Sequence, residues 1–118
     1  MDLADLVAFQ KNFDAQHGWD AQPQSTAEAL TLLERDLVGL IGEIGEFANV
    51  LKKIRLLERF PERMEREWHD RRPELSEEVV DTLIYLVRIA GHLTLDLERS
   101  YTEKMQRNAS KFHDFKRV

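Results

Sequence analysis

Leu30, Leu33, Leu37, Leu40, Ile44, Phe47, Leu51 and Ile54 recur in alternating steps of three and four. That spacing draws one unbroken apolar seam along a long helix. Ser25, with Glu28 three positions later, predicts its start as a capping box. A second strong pattern covers 74–93. Its seam is Val79, Leu83, Leu86, Ala90 and Leu93, and Val80, Ile84 and Val87 widen it until the helix is apolar nearly all round. Such a helix is central to its domain. Leu6, Phe9 and Phe13 predict the inner face of a first helix over 3–17; Leu97, Tyr101, Met105 and Phe112 predict that of a last helix over 95–115. Residues 18–24, with Pro23, read as a loop. Residues 61–70 open on Pro61 and read as a short connector helix, which Arg72 and Pro73 end. No sustained period-two alternation and no Asn-Gly or Asp-Gly pair supports a strand. The expected fold is all-α: four main helices plus a short connector in a bundle, forming one domain over 1–118.

The length of 118 residues suits a single domain. Hydrophobic residues make up 42% and charged residues 33%, so the chain is apolar enough to fold. The second helix also carries Val38, Ile41 and Ala48 beside its seam. Four short helices cover that excess and the central helix poorly, which predicts a homodimer or higher oligomer. With no Cys, disulfides, thiolate zinc sites and thiol nucleophiles are excluded, and any metal is held by oxygen or imidazole. The net charge of −5 argues against a nucleic-acid partner and suits a cation or a cation-screened anion. The most apolar stretch, 79–97, contains Asp81, Arg88, His92 and Asp96, so no membrane span is expected. The first residues lack a basic region and an apolar run, and cytoplasmic residence is the expectation.

Candidate chemistry sits one step behind each seam. On the second helix that stripe is Asp36, Gly39, Glu43, Glu46, Val50 and Lys53; on the central helix it is Glu78, Asp81, Tyr85, Arg88 and His92. Glu43 and Glu46 are three apart, as are Glu78 and Asp81, so each pair shares a face. Asp81 is enclosed in sequence by Val79, Val80, Leu83 and Ile84, where an unpaired carboxylate is costly. If the two helices pack antiparallel at roughly 8–10 Å, all four acids meet and repel unless a divalent cation joins them. Carboxylate-only ligands favour Mg²⁺ or Mn²⁺ over zinc. One such acid pair on an amphipathic helix is ordinarily a solvated flank; two pairs on the two most apolar helices are harder to read that way.

Other positions are less specific. Gly39, Gly42 and Gly45 mark a close helix crossing or make room for a ligand beside the acids. Lys104, Asn108 and Lys111 form a polar stripe that is ordinary helix surface or a contact for phosphate oxygens. Trp19, after Gly18, caps the core or stacks on a base. The four His are scattered, and none has a Glu three residues before it, so the Glu-x-x-His element of di-iron bundles is missing. No phosphate-binding glycine loop and no Gly-x-Ser-x-Gly elbow is present.

The segment Gly42-Glu43-Ile44-Gly45-Glu46-Phe47-Ala48-Asn49, followed by Lys52-Lys53, resembles the first motif of the MazG-like all-α nucleoside triphosphate pyrophosphohydrolases. Glu77-Glu78-Val79-Val80-Asp81, continuing through Leu83, Ile84, Tyr85 and Leu86, resembles the second. Asp96-Leu97-Glu98, Tyr101, Lys104-Met105, Asn108 and Lys111-Phe112 resemble the last helix, so the likeness covers about 30–112. The resemblance implies Mg²⁺-dependent cleavage of a nucleoside triphosphate between the α and β phosphates, giving monophosphate and pyrophosphate, in a dimer or dimer-based tetramer. It implies Glu43, Glu46, Glu78 and Asp81 as metal ligands. Lys104, Asn108, Lys111, Asn49 and Lys53 become expected substrate contacts, and Trp19 an expected base contact.

Two departures stand out. Many relatives have a second acid where this chain has Gly42, and that acid can act as general base. Here Glu77 or Asp36 substitutes, a metal-bound hydroxide attacks unaided, or activity is weak; Glu77 and Glu43 are the expected catalytic residues. The stretch 47–77 is longer than usual in the family, and its insert over 61–72 lines a pocket or extends a dimer contact. Gly42 also keeps open an alternative from a different class, a non-catalytic helical dimer that binds nucleotide or a protein partner.

Overall fold

The computed structural model describes residues 1–117. Four α-helices follow in order: α1 Leu3–Gln16, α2 Thr26–Arg55, α3 Pro61–His92 and α4 Leu97–Lys111, with a short 3₁₀ turn His113–Phe115 after them. No strand occurs among the described residues, so the all-α expectation stands. The backbone forms two compact units. One is Gln22–Ile89; the other joins Met1–Ala21 to the chain from Ala90 onward.

The unit Gln22–Ile89 is a hairpin of α2 and α3. Ser25 caps α2 by accepting the Glu28 N–H at 3.1 Å. The Glu28 side chain, however, accepts from the Gln24 N–H at 2.6 Å, one residue before the place a capping box would use. Residues 56–60 turn the chain through hydrogen bonds such as Phe60 N–H to Leu57 O, 2.8 Å. The helices then run antiparallel: Gly39 meets Tyr85, Glu43 and Glu46 meet Glu78, and Val50 and Ile54 pack on Leu75, flanked by Phe47 and Met64. Val50 is only 4% exposed, so this contact fixes the register by removing apolar surface from water.

The expected connector helix and central helix are one element. Pro73 lies inside α3, although its ring and missing N–H oppose helix continuation. One ion pair straddles it, Arg71 Nη1 to Glu74 at 3.6 Å, and Arg71 Nε also holds Glu67 at 2.7 Å on the preceding turn. Leu75, just beyond, is anchored in the core. Tertiary burial and these pairs carry the helix across the lost hydrogen bond.

In the other unit, Asp2 and Asp5 make a full capping box on α1, and the Ala4 N–H donates to Glu98 Oε2 at 2.8 Å, tying α1 to α4. Gly18, at φ +71°, ends α1 in the left-handed region. Phe9, Phe13, Tyr101, Met105 and Phe112, expected to face inward, are exposed in the single chain, as are Leu30, Leu37, Ile44 and Leu51 of the α2 seam. Val79, Val80 and Leu86 of α3 are exposed too. Periodicity marks which face is apolar; it does not say whether the same chain covers it.

Candidate metal centre

Glu43, Glu46 and Glu78 each offer a carboxylate oxygen, and these oxygens all lie within 4.8 Å of one another. The hairpin register puts them there. Glu43 and Glu46 share a face of α2 one turn apart, and Glu78 projects from the opposing turn of α3. Between Gly39–Tyr85 on one side and the Val50–Ile54–Leu75 core on the other, that turn has little freedom to slide. Gly39 is the close crossing: a Cβ there would overlap the Tyr85 ring. Gly42 and Gly45 have open space around the Cβ position, so no close packing demands a glycine at either.

The electrostatics are those of crowded acids. Glu78 is 9% exposed, and its Oε2 is buried with no hydrogen-bond partner among the described residues. The neighbouring Glu43 carboxyl favours the protonated form most strongly; burial adds to this, then Glu46, and the Glu78 carboxyl is pushed up to about 8. An orphaned, buried carboxylate oxygen facing two further carboxylates is an arrangement that a divalent cation completes. The donor set is hard oxygen only, which fits Mg²⁺ or Mn²⁺.

The remaining expected site residues are distributed as follows. Asp81, half-buried one turn further along α3, is outside the cluster of three. Glu77 is exposed and also outside it. Asp36 is 2% exposed, with Arg35 Nε at 3.4 Å from its Oδ1. Asn49 and Lys53 are exposed on α2. Lys104, Asn108 and Lys111 follow one another on a face of α4, with Asn108 half-buried and the Lys111 ammonium 5.3 Å from the Phe112 ring. Trp19 stacks on His17 at 4.9 Å between ring centres, and its backbone N–H donates to the Asp14 backbone carbonyl at 2.8 Å. A groove along the hairpin is lined by Phe47, Leu51, Trp68, Arg72, Leu75, Ser76 and Val79; the sequence reading offered a pocket or a dimer contact for the insert over 61–72, which carries Trp68 and Arg72, and had no signal for the other lining residues.

A two-helix hairpin that brings Glu43 and Glu46 of one helix to Glu78 of the other defines a class: an all-α chain with an acidic cluster suited to a divalent cation. The chain is 30% identical to the dCTP pyrophosphatase 1 of Rattus norvegicus over 113 residues, 93% of its own length. The corresponding proteins of Mus musculus and Homo sapiens are 29% and 30% identical over the same span. The chain spans 58% of the length of each of these relatives. The likeness bears out the resemblance to the MazG-like all-α nucleoside triphosphate pyrophosphohydrolases. No family model matches the chain, and no solved structure matches it.

Proposed function

We propose that this chain is a nucleoside triphosphate pyrophosphohydrolase, cleaving between the α and β phosphates to release monophosphate and pyrophosphate. The observation that carries the reading is the convergence of Glu43, Glu46 and Glu78, with one Glu78 oxygen buried and unpartnered. The likeness to dCTP pyrophosphatases points the same way and makes deoxynucleoside triphosphates the first substrates to try.

In this reading Glu43, Glu46 and Glu78 hold Mg²⁺ or Mn²⁺, with Asp81 as a fourth ligand. A cation bound there supplies charge neutralisation for the polyphosphate and a more acidic water. The residues of the chain then do three things. The three carboxylates, fixed by the hairpin core, present their oxygens in one place without reorganisation. Lys104, Asn108 and Lys111, with Asn49 and Lys53, take phosphate oxygens through charged and amide donors. Glu77 or Asp36 accepts the proton of the attacking water, or no side chain does. A homo-oligomer covers the exposed apolar positions of α2 and α3. No helix among the described residues is long and apolar enough to cross a membrane, in keeping with a cytoplasmic enzyme.

Gly42 supports a second reading, a nucleotide-binding helical dimer without turnover, because it leaves the family's extra acid absent. Turnover of canonical and modified NTPs and dNTPs with Mg²⁺, read by pyrophosphate release, separates the two. Release of pyrophosphate and monophosphate in equal amounts supports hydrolysis; nucleotide binding without either product supports the second reading.

A further inference from the structure

The turn of the α2–α3 hairpin carries a charge opposite to that of the rest of the chain. Residues 52–66 hold six cations, Lys52, Lys53, Arg55, Arg59, Arg63 and Arg66, against Glu58, Glu62 and Glu65, a net +3. The other 103 residues hold eleven cations against nineteen acids, a net −8. All six cations are exposed. Arg55 pairs with Glu58 at 3.8 Å, and the Arg63 guanidinium lies 5.3 Å from the centre of the Phe60 ring. Lys52, Arg59, Arg63 and Arg66 have no ion pair among the described residues.

Two apolar side chains stand among these cations: Leu56 is 71% exposed and Phe60 52%. Both belong to the turn, outside the α2 and α3 positions that an oligomer covers. Beside them Arg59, Phe60, Pro61, Glu62 and Arg63 line a hollow of about 490 Å³, room for a large side chain. The turn is preformed. Its N–H groups of Leu57, Glu58 and Phe60 donate to the carbonyls of Ile54, Arg55 and Leu57 at 3.1, 3.1 and 2.8 Å. On one side Ile54 is buried in the core, and on the other Met64 packs against it. A surface already held in shape gives up little order when a partner binds.

The chemistry selects among anionic partners. Arginines predominate, and their planar forks match carboxylates two bonds at a time. Glu58, Glu62 and Glu65 are interspersed with them, so a uniform sheet of negative charge, such as a lipid surface or a duplex backbone, meets like charges as well as opposite ones. A peptide segment places its carboxylates singly. Its apolar side chains have Leu56, Phe60 and the hollow to bury against.

We infer that the turn over 55–63 docks a segment of another protein in which Asp or Glu residues flank an apolar or aromatic side chain. Arg55, Arg59 and Arg63 take the carboxylates; Leu56 and Phe60 take the apolar group. Arg55 is nine residues beyond Glu46, about 13 Å along the helix axis, so the surface is distinct from the acid cluster. The inference stands whether or not the chain hydrolyses nucleotides.

The test selects random dodecapeptides, displayed on phage, against the whole chain and against the double variant Arg59→Glu/Arg63→Glu. The wild type should enrich peptides in which Asp and Glu surround Leu, Phe or Trp, and the double variant should not. The best peptide, synthesised, should bind the wild type at least about tenfold more tightly than the double variant or Phe60→Ser, as loss of a central anchor requires, and its Kd should rise with salt. Arg59→Gln, which only removes a charge, should weaken binding by a smaller factor. All three variants should keep the wild-type melting temperature, mass by light scattering and nucleotide turnover. Enriched peptides without acids, or equal binding by the double variant, overturn the inference. So does tighter binding to phosphatidylserine vesicles or to short duplex DNA than to the best peptide. A double variant of smaller mass overturns it too, because the turn then joins copies of this chain.

Discussion

The ring of Tyr85 fills the space that a Cβ on Gly39 would need. This one contact sets how closely α2 and α3 cross, three residues before Gly42 and four before Glu43. It also separates three glycines that the sequence presents alike. Gly39→Ala forces the ring or the helix to move and is expected to destabilise by about 1–3 kcal/mol, as overpacked sites do. Gly42→Ala and Gly45→Ala have open space and should each stabilise the metal-free chain by about 1 kcal/mol, the helix-propensity difference. Thermal unfolding of the three variants checks this; a stabilised Gly39→Ala would contradict the crossing.

The metal-free protein should lose stability as pH rises from about 5 to above 8. Glu78 has a folded pKa of about 8 against 4.5 for the free side chain. Between those values the folded state binds more protons than the unfolded state, so stability falls with rising pH. Glu78→Gln should remove most of this slope, because it keeps the shape and carries no charge. Mg²⁺ or Mn²⁺ should stabilise the wild type most at pH 8, by binding the ionised folded form. Melting curves across pH with and without cation test the sign; stability rising between pH 5 and 8 would contradict it.

The chain should be at least a dimer at micromolar concentration. Val38 is 70% exposed, and Leu37, Ile41, Ile44 and Leu51 on α2 with Val79, Val80 and Leu86 on α3 are exposed as well. Such apolar area on a single soluble chain marks an interface. Light scattering should give twice the chain mass or more, and Ile41→Glu should shift it toward the monomer. A monomeric wild type would contradict the expectation.

Glu77 is next to Glu78 in sequence but is turned about 100° around α3, exposed and outside the cluster. Glu77→Gln should therefore change kcat by less than about threefold. A drop of 10²–10⁴-fold, the usual worth of a general base, would assign it that role. Gly42→Glu restores the acid that many relatives carry and should raise kcat.

Much of this was readable from spacing. The seam from Leu30 to Ile54 located α2, and stepping one residue behind it found Glu43 and Glu46. Three features were not readable. Pro73 signals a break by local rules, and only Leu75 in the core and Arg71 bridging Glu67 and Glu74 outweigh it. Glu78 and Asp81 are one turn apart on nearly the same face, so spacing treats them as equals; the rotation of α3, set by Tyr85 on Gly39, brings Glu78 into the cluster. Trp68 and Arg72 lie on either side of where the sequence predicts the connector helix to end, and their pairing depends on α3 continuing without interruption.

The most direct test is pyrophosphate release from dNTPs titrated with Mg²⁺, for the wild type and Glu78→Gln. The wild type should form monophosphate and pyrophosphate one to one, with activity saturating in Mg²⁺. Loss of groups that merely support a metal ligand costs roughly 10–100-fold, so loss of the ligand Glu78 should lower kcat by at least about 100-fold. Full activity in Glu78→Gln, or release of inorganic phosphate in place of pyrophosphate, would contradict the proposed centre.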